Sequence, residues 1–292
     1  MPRLFCFGYG FTAEALARRL LSEGWSVAGT TRSAEKAEAM RAGGVEPVQW
    51  TAGALFPPEA LEGADAVLLS IAPDEAGDPV LRCCAGALER AAPTLSWLGY
   101  LSTTGVYGDR EGDLVDESAD LRPETDRSRR RVRAEADWTL FATEHSAPLH
   151  IFRLGGIYGP GRSALDQVRA GTARRILKPG QVFNRIHVDD AAGALALSIA
   201  TPTPLAVYNL VDDEPSAPGD PAAFAADLLG LDPPPEVPFE EAEMSAMARS
   251  FYADNKRVSN ARLKERLGWA PRYPSYREGL QAILADAPGD PT

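Results

Sequence analysis

The tightest constraint on this chain lies in its first two dozen residues. An apolar run, Leu4 to Phe7, leads directly into Gly8-Tyr9-Gly10-Phe11-Thr12-Ala13, a GxGxxA pattern. Ala13, Leu16, Ala17, Leu20 and Leu21 then follow at helical spacing up to Gly24. A strand that becomes a helix so abruptly needs one glycine for the turn, a second to let a ligand reach the backbone, and a small residue to pack helix on sheet. Amides at the start of such a helix attract an anion. The expected ligand is a dinucleotide pyrophosphate, met by Gly8, Tyr9, Gly10, Phe11 and Thr12; the plainer alternative is a tight turn with no ligand.

Behind this loop, short apolar runs alternate with amphipathic segments. Strands are expected at 25–30, 46–50, 66–71, 98–102 and 149–154, with helices at 33–42, 81–92 and 127–143 between them. That alternation predicts an α/β fold, a doubly wound parallel (Rossmann) sheet. Residues 107–125 read as a polar connection, 189–200 as a helix, and 207–210 as a late strand. Pro-rich stretches at 215–221 and 232–238 separate short helices and suit a small C-terminal substrate lobe. The expected division is 1–158 plus about 185–212 for the sheet domain, 159–184 and 213–285 for the lobe, and a flexible tail at 286–292.

The net charge of −11 disfavours nucleic acid and anionic membrane surfaces as partners, outside a basic run at Arg127 to Arg133. No secretory leader or membrane-spanning stretch is read, so a cytoplasmic location is expected. Three cysteines, Cys6, Cys83 and Cys84, read as reduced thiols. Three separated histidines and an adjacent cysteine pair give no zinc spacing, so no metal is expected.

A free ribose 2′-hydroxyl is usually held by an acid about 20 residues beyond the glycines. Here the chain reads Thr31-Arg32-Ser33, a guanidinium and a hydroxyl that suit a 2′-phosphate, so NADP(H) is expected ahead of NAD(H). Trp50 and Thr51 end the third strand, where Trp50 either flanks the adenine or joins the core. Ser70, Ile71 and Ala72 end the fourth, beside the expected ribose or nicotinamide.

Six further motifs come in order. They are Ser102-Thr103-Thr104-Gly105-Val106-Tyr107-Gly108, Asp116-Glu117, Arg153-Leu154-Gly155-Gly156-Ile157-Tyr158-Gly159-Pro160-Gly161, Arg185-Ile186-His187-Val188-Asp189-Asp190, Tyr208-Asn209-Leu210, and Asn255 through Asn260 with Leu267-Gly268-Trp269. With the glycine loop they resemble the extended short-chain dehydrogenase/reductase superfamily, the NAD-dependent epimerase/dehydratase group, over nearly the whole chain. The resemblance implies a nicotinamide cofactor, a small-molecule substrate, and a homodimer as an option. It also implies a Tyr-x-x-x-Lys pair, which is missing: Pro123 and Glu135 align so that Arg127 and Arg131 stand in those places. No Tyr and no Lys occurs from Asp109 through His150.

Thr103 matches the family's assisting hydroxyl. Arg127 and Arg131, spaced i and i+4, would face one way and could stabilise negative charge on oxygen; the alternative is a solvated basic face paired with acids. Tyr158 is a candidate proton donor against a packed loop tyrosine, and His187 a titrating group against a hinge residue. Arg162, Arg185, His187 and Asn255 are expected on the substrate side. Two functions remain open: an NADP(H)-dependent oxidoreductase or epimerase-like enzyme acting on a small polar, sugar-derived or anionic substrate, or a catalytically inactive NADP(H)-binding sensor.

Overall fold

The computed structural model describes residues 1–286. In chain order its strands are β1 (Arg3–Phe7), β2 (Ser26–Thr31), β3 (Val45–Gln49), β4 (Ala66–Leu69), β5 (Trp97–Thr103), β6 (Leu114–Val115), β7 (Leu149–Leu154), β8 (Gly156–Tyr158), β9 (Arg175–Leu177), β10 (Arg185–His187), β11 (Leu205–Leu210), β12 (Glu236–Pro238) and β13 (Arg257–Val258). Seven form one sheet in the order β11-β7-β5-β4-β1-β2-β3, parallel throughout. The order reverses at β1, whose neighbours are β2 and β4. Ligands of such sheets bind at that switch point, outside the carboxyl ends of the strands.

Parallel strands covered on both faces carry continuous apolar runs, because alternate side chains enter different cores. Leu4 and Cys6 of β1 face a core shared with Leu16 and Leu20 of α1 (Phe11–Ser22). Phe5 and Phe7 enter the other core, with Val80 and Leu88 of α3 (Pro79–Ala91) and Trp138 of α4 (Asp126–His145). Between α1 and α3, α2 (Ala34–Ala42) is capped by Ser33 and sends Met40 into the first core. Thr125 caps α4 through its hydroxyl, which accepts from Ser128 N at 3.1 Å. A cap of this kind stabilises a helix by ~1 kcal/mol.

Beyond β7, α5 (Ala164–Arg169), α7 (Asp220–Leu228) and α10 (Tyr276–Ala285) surround a separate core of Tyr158, Leu165, Ala225, Tyr276, Leu280 and Ile283. The late sequence elements split between the two regions. Strand β11 extends the sheet beside β7, and helix α6 (Val188–Ala200) packs into the same core as α1. Helix α9 (Ala261–Leu267), expected with the lobe, instead places Leu263, Leu267 and nearby Trp269 in the sheet core. The polar connection at 107–125 is not wholly irregular, for β6 within it pairs with β13. Of the expected tail, Asp286 caps α10 and 287–292 lie outside the described residues.

Candidate functional site

The glycine loop at the end of β1 has the geometry its sequence implies. Gly8 has φ +87°, and a Cβ there would lie 2.9 Å from Ile71 Cγ1. Its N–H donates to Thr30 Oγ1 at 2.7 Å, which ties the turn to β2. Gly10 precedes α1 in an extended conformation, and a Cβ there would meet nothing within 4 Å. That space lies in front of the first amides of α1, Phe11, Thr12 and Ala13, which have no acceptor inside their own helix. An anionic diphosphate matches this cradle in sign. Tyr9 packs its ring on Gly29, where a Cβ would fall 3.2 Å from Tyr9 Cδ2.

Past the end of β2, Thr31 is buried while Arg32 is exposed, with no carboxylate partner among the described residues. Ser33 spends its hydroxyl oxygen on the α2 cap, accepting from Lys36 N at 3.2 Å. Lys36 Nζ stands 5.7 Å from the centre of the Tyr9 ring and adds a second cation here, which the sequence reading did not single out. Trp50 is resolved in favour of the core. It is 4% exposed, packs against Phe7 and Phe56, and donates from Nε1 to Ala54 O, so it does not flank the nucleotide groove. Ser70 donates its N–H to Phe7 O, Ile71 packs over Gly8, and Ala72 is exposed beyond them.

From Phe11, Thr12 and Ser70 a cavity of about 840 Å³ extends toward the lobe. Its sheet-side lining includes Thr103, Thr104, Arg127 and Arg131, and its lobe side Arg162, Arg174, Arg185, Asp254 and Lys256. Five arginines and one lysine therefore meet a single carboxylate, in a protein of net charge −11. Like-signed walls around a partly enclosed space concentrate a field that attracts anions.

The arginine run on α4 divides between two environments. Arg129 pairs with Asp126, Arg130 with Glu75 and Arg133 with Asp137, all on the solvent side. Arg127 and Arg131 face the cavity. Arg131 Nη1 is held by Leu101 O at 2.6 Å and Tyr100 OH at 3.1 Å. The guanidinium of Arg127 lies 5.1 Å from the centre of the Phe251 ring and has no carboxylate partner among the described residues. Burial and neighbouring Arg131 both push its pKa down. Thr103 lines the cavity at the end of β5, its hydroxyl oxygen accepting from Gly105 N at 3.2 Å while its proton stays available.

Other expected site residues carry structural duties. Tyr158 donates its hydroxyl proton to Ser275 O at 3.1 Å, and burial raises its pKa, so it is not poised to protonate a substrate. His187 lies between the rings of Tyr158 and Tyr273 and caps α6, with Nδ1 accepting from Asp189 N at 3.2 Å. Burial pushes its pKa down to about 4, so it is neutral near pH 7 rather than titrating there. Arg185 reaches the cavity yet donates to Phe183 O and Ser216 Oγ. Arg162 lies at the cavity with its guanidinium 5.8 Å from the Phe11 ring. Asn255 is withdrawn: its amide bridges Val182 N and Gly180 O, and its neighbours Asp254 and Lys256 take the cavity positions.

Lys256 was not singled out in the sequence. Its Nζ donates to Gly108 O at 2.7 Å and Asp254 Oδ2 at 3.0 Å, and burial lowers its pKa. Asp254 Oδ1 is buried without a partner. Beneath the cavity the sequence motifs converge on one polar network. Ser102 donates to Glu135, Glu135 binds Arg153, Arg153 donates to Tyr107 OH, and Tyr107 donates to Asn209 Oδ1 at 2.7 Å. Asn209 N in turn donates to Glu117. Among the described residues no cluster of three or more His, Cys, Asp or Glu is arranged for a metal. None of the helices there is long and apolar enough to cross a membrane.

Comparison with known proteins follows the same outline. Residues 4–88 match the family model described as NADP oxidoreductase, coenzyme F420-dependent. A solved structure of a functionally unknown conserved protein from Silicibacter pomeroyi DSS is 49% identical, covering 98% of this chain and 99% of that one, with a TM-score of 0.92. Protein YeeZ of Escherichia coli (strain K12) is 29% identical over 258 residues, 80% of this chain and 86% of YeeZ. The NAD complex of dTDP-glucose 4,6-dehydratase from Bacillus anthracis str. Ames shares the fold at 15% identity, with a TM-score of 0.79 over 98% of this chain and 96% of that one.

Proposed function

Because this chain belongs to the same protein family as the functionally unknown conserved protein from Silicibacter pomeroyi DSS, its role is read from its own cleft, and we propose that it is an NADP(H)-dependent oxidoreductase or epimerase-like enzyme acting on a small anionic substrate. The observation that carries this reading is the continuity between the two halves of the cleft. One cavity runs from Phe11 and Thr12 in the first turn of α1 to the cationic walls of Arg127, Arg131, Arg162 and Lys256.

In this reading Gly8 through Ala13 hold the pyrophosphate, and Arg32 with Lys36 holds a 2′-phosphate. A bound nicotinamide supplies or accepts a hydride. Thr103 offers its hydroxyl proton to the reacting oxygen, and Arg127 stabilises the charge that develops on it, since a guanidinium keeps its proton and acts by electrostatics rather than proton exchange. Lys256, held by Gly108 O and Asp254, has a third N–H left for the substrate. The test is a structure with NADP bound. Nicotinamide C4 open to the cavity near Thr103 supports the enzyme reading, and C4 sealed against protein refutes it.

A second reading, a nucleotide-binding sensor without turnover, is favoured by one observation. The two aromatic candidates for proton transfer, Tyr158 and His187, are each engaged elsewhere. A sealed C4 combined with tight NADPH binding would select it.

A further inference from the structure

Part of the cavity lining differs in character from the cationic walls. Residues of α8 (Ala246–Ser250) and just beyond contribute Met247, Ala248, Phe251 and Tyr252 to the cavity. Helix α8 buries none of its residues, and Met247 and Phe251 are 66% and 50% exposed. The segment is nonetheless anchored. The Tyr252 ring packs on Phe183 and Phe239 at centroid distances of 5.0 and 5.1 Å, Tyr252 O accepts from Lys178 Nζ, and Arg249 Nη2 donates to Ala242 O at 2.8 Å. A fixed scaffold thus holds apolar side chains in water at the edge of a ligand cavity, where an apolar occupant would cover them.

The two serine hydroxyls of this segment each make one local hydrogen bond. Ser245 Oγ caps α8, accepting from Ala248 N at 3.1 Å, and Ser250 Oγ donates to Met247 O at 2.7 Å. The Met247 and Phe251 side chains offer a polyhydroxylated occupant no hydrogen-bond partner, whereas an apolar body gains by removing their exposed area from water. Arg127 adjoins the same surface, 5.1 Å from the Phe251 ring and without a carboxylate partner among the described residues. Apolar surface and an uncompensated guanidinium side by side are complementary to a molecule with an apolar body and an anionic end.

We infer that the cavity takes an aromatic carboxylate, its ring covering Phe251 and Met247 and its carboxylate paired with Arg127. This rests on the reading of the cavity as the substrate site and narrows its anionic substrate to a class with an apolar body. With Arg127 engaged by the carboxylate, Arg131, tethered to β5 at the same cavity, takes over the stabilisation of charge at the reacting oxygen, and the lobe-side cations face whatever extends beyond the ring.

The experiment is calorimetric titration of the full chain, with and without NADPH, using trans-cinnamate and D-glucuronate as probes that share a carboxylate and differ in their bodies. Cinnamate should bind at least tenfold more tightly than glucuronate. Phe251→Ser should weaken cinnamate at least tenfold and leave glucuronate unchanged, with Phe251→Leu intermediate. Arg127→Gln should remove the preference for cinnamate over uncharged cinnamyl alcohol. Thermal melts of the variants must match the parent, and Phe251→Leu carries the comparison if Phe251→Ser does not fold. Equal or tighter glucuronate binding, an unchanged cinnamate affinity in both Phe251 variants, or no binding of either probe would each overturn the proposal. NADPH affinity measured on the same samples keeps the cofactor reading separate: cinnamate binding without NADPH binding would sink that reading alone.

Discussion

Glu135 and Arg153 grip each other beneath the cavity, with Arg153 Nη2 2.8 Å from Glu135 Oε2 and both side chains 6% exposed. Ser102 and Tyr107 supply the remaining hydrogen bonds. A buried pair contributes little net stability when intact, but loss of one member leaves an uncompensated charge, at about 3–5 kcal/mol. Glu135→Ala should therefore lower the unfolding free energy in urea by about that amount. The double variant Glu135→Leu with Arg153→Met should cost clearly less than the two single changes summed. Additive losses would show that the two side chains are not coupled.

Gly8→Ala should disable the nucleotide loop. The new methyl would meet Ile71 Cγ1 at 2.9 Å in a backbone of φ +87°, a conformation that costs an L-residue about 1–2 kcal/mol before any clash. Fluorescence titration with NADPH should show at least tenfold weaker binding while the far-ultraviolet circular dichroism spectrum stays unchanged. Parent-like affinity would place the nucleotide elsewhere.

Arg32 is expected to decide between the two nicotinamide dinucleotides. A hydrogen bond from a guanidinium to a phosphate is worth about 1.5–3 kcal/mol, so Arg32→Ala should weaken NADPH roughly tenfold or more and hardly alter NADH. Lys36→Ala should do the same to a smaller degree. Equal NADPH and NADH affinities in the parent protein would remove the preference altogether.

Two buried histidines give stability a pH dependence. His150 donates from Nδ1 to Ser198 Oγ and accepts at Nε2 from Thr203 N, and burial pushes its pKa from 6.5 to about 4. His187 shifts in the same direction to about 4. Each folded-state pKa is depressed, so the contribution is complete above about 6.5 and is lost as pH falls toward 4, by at most ~1.4 kcal/mol per pH unit and histidine. Asp212, raised to about 8 by burial, loses stability as pH rises over much of that range. The informative quantity is therefore the difference between parent and His150→Gln. That difference should shrink between pH 7 and 4.5, and a pH-independent difference would contradict neutral burial.

The parts of the cleft legible in the sequence are those made by local backbone rules. Gly8 and Gly10 declare the loop because only a small set of residues permits such a turn, and the spacing of Arg127 and Arg131 places both on one face of α4. Residues whose roles depend on distant partners were harder to assign. Lys256 meets Gly108 across 148 positions of chain and sits in the irregular segment just before β13, so no periodicity announces it. Tyr158 and His187 looked available because their partners, Ser275 O and the first turn of α6, are backbone groups that leave no trace in side-chain pattern. The Ser102, Tyr107, Glu117, Arg153 and Asn209 motifs were visible as motifs, yet their joining into one buried network required the fold.

Strand β11 is the edge of the sheet, hydrogen-bonded to β7 along its whole length, yet the chain reaches it only at Leu205, after passing through part of the lobe. During synthesis β7 therefore emerges from the ribosome with an unpaired edge, and it waits for about fifty more residues before its neighbour exists. The nucleotide-binding half cannot mature as an early, autonomous unit, so truncation after residue 158 should yield a chain that seeks other strands to pair with, and measurable aggregation rather than a smaller soluble protein.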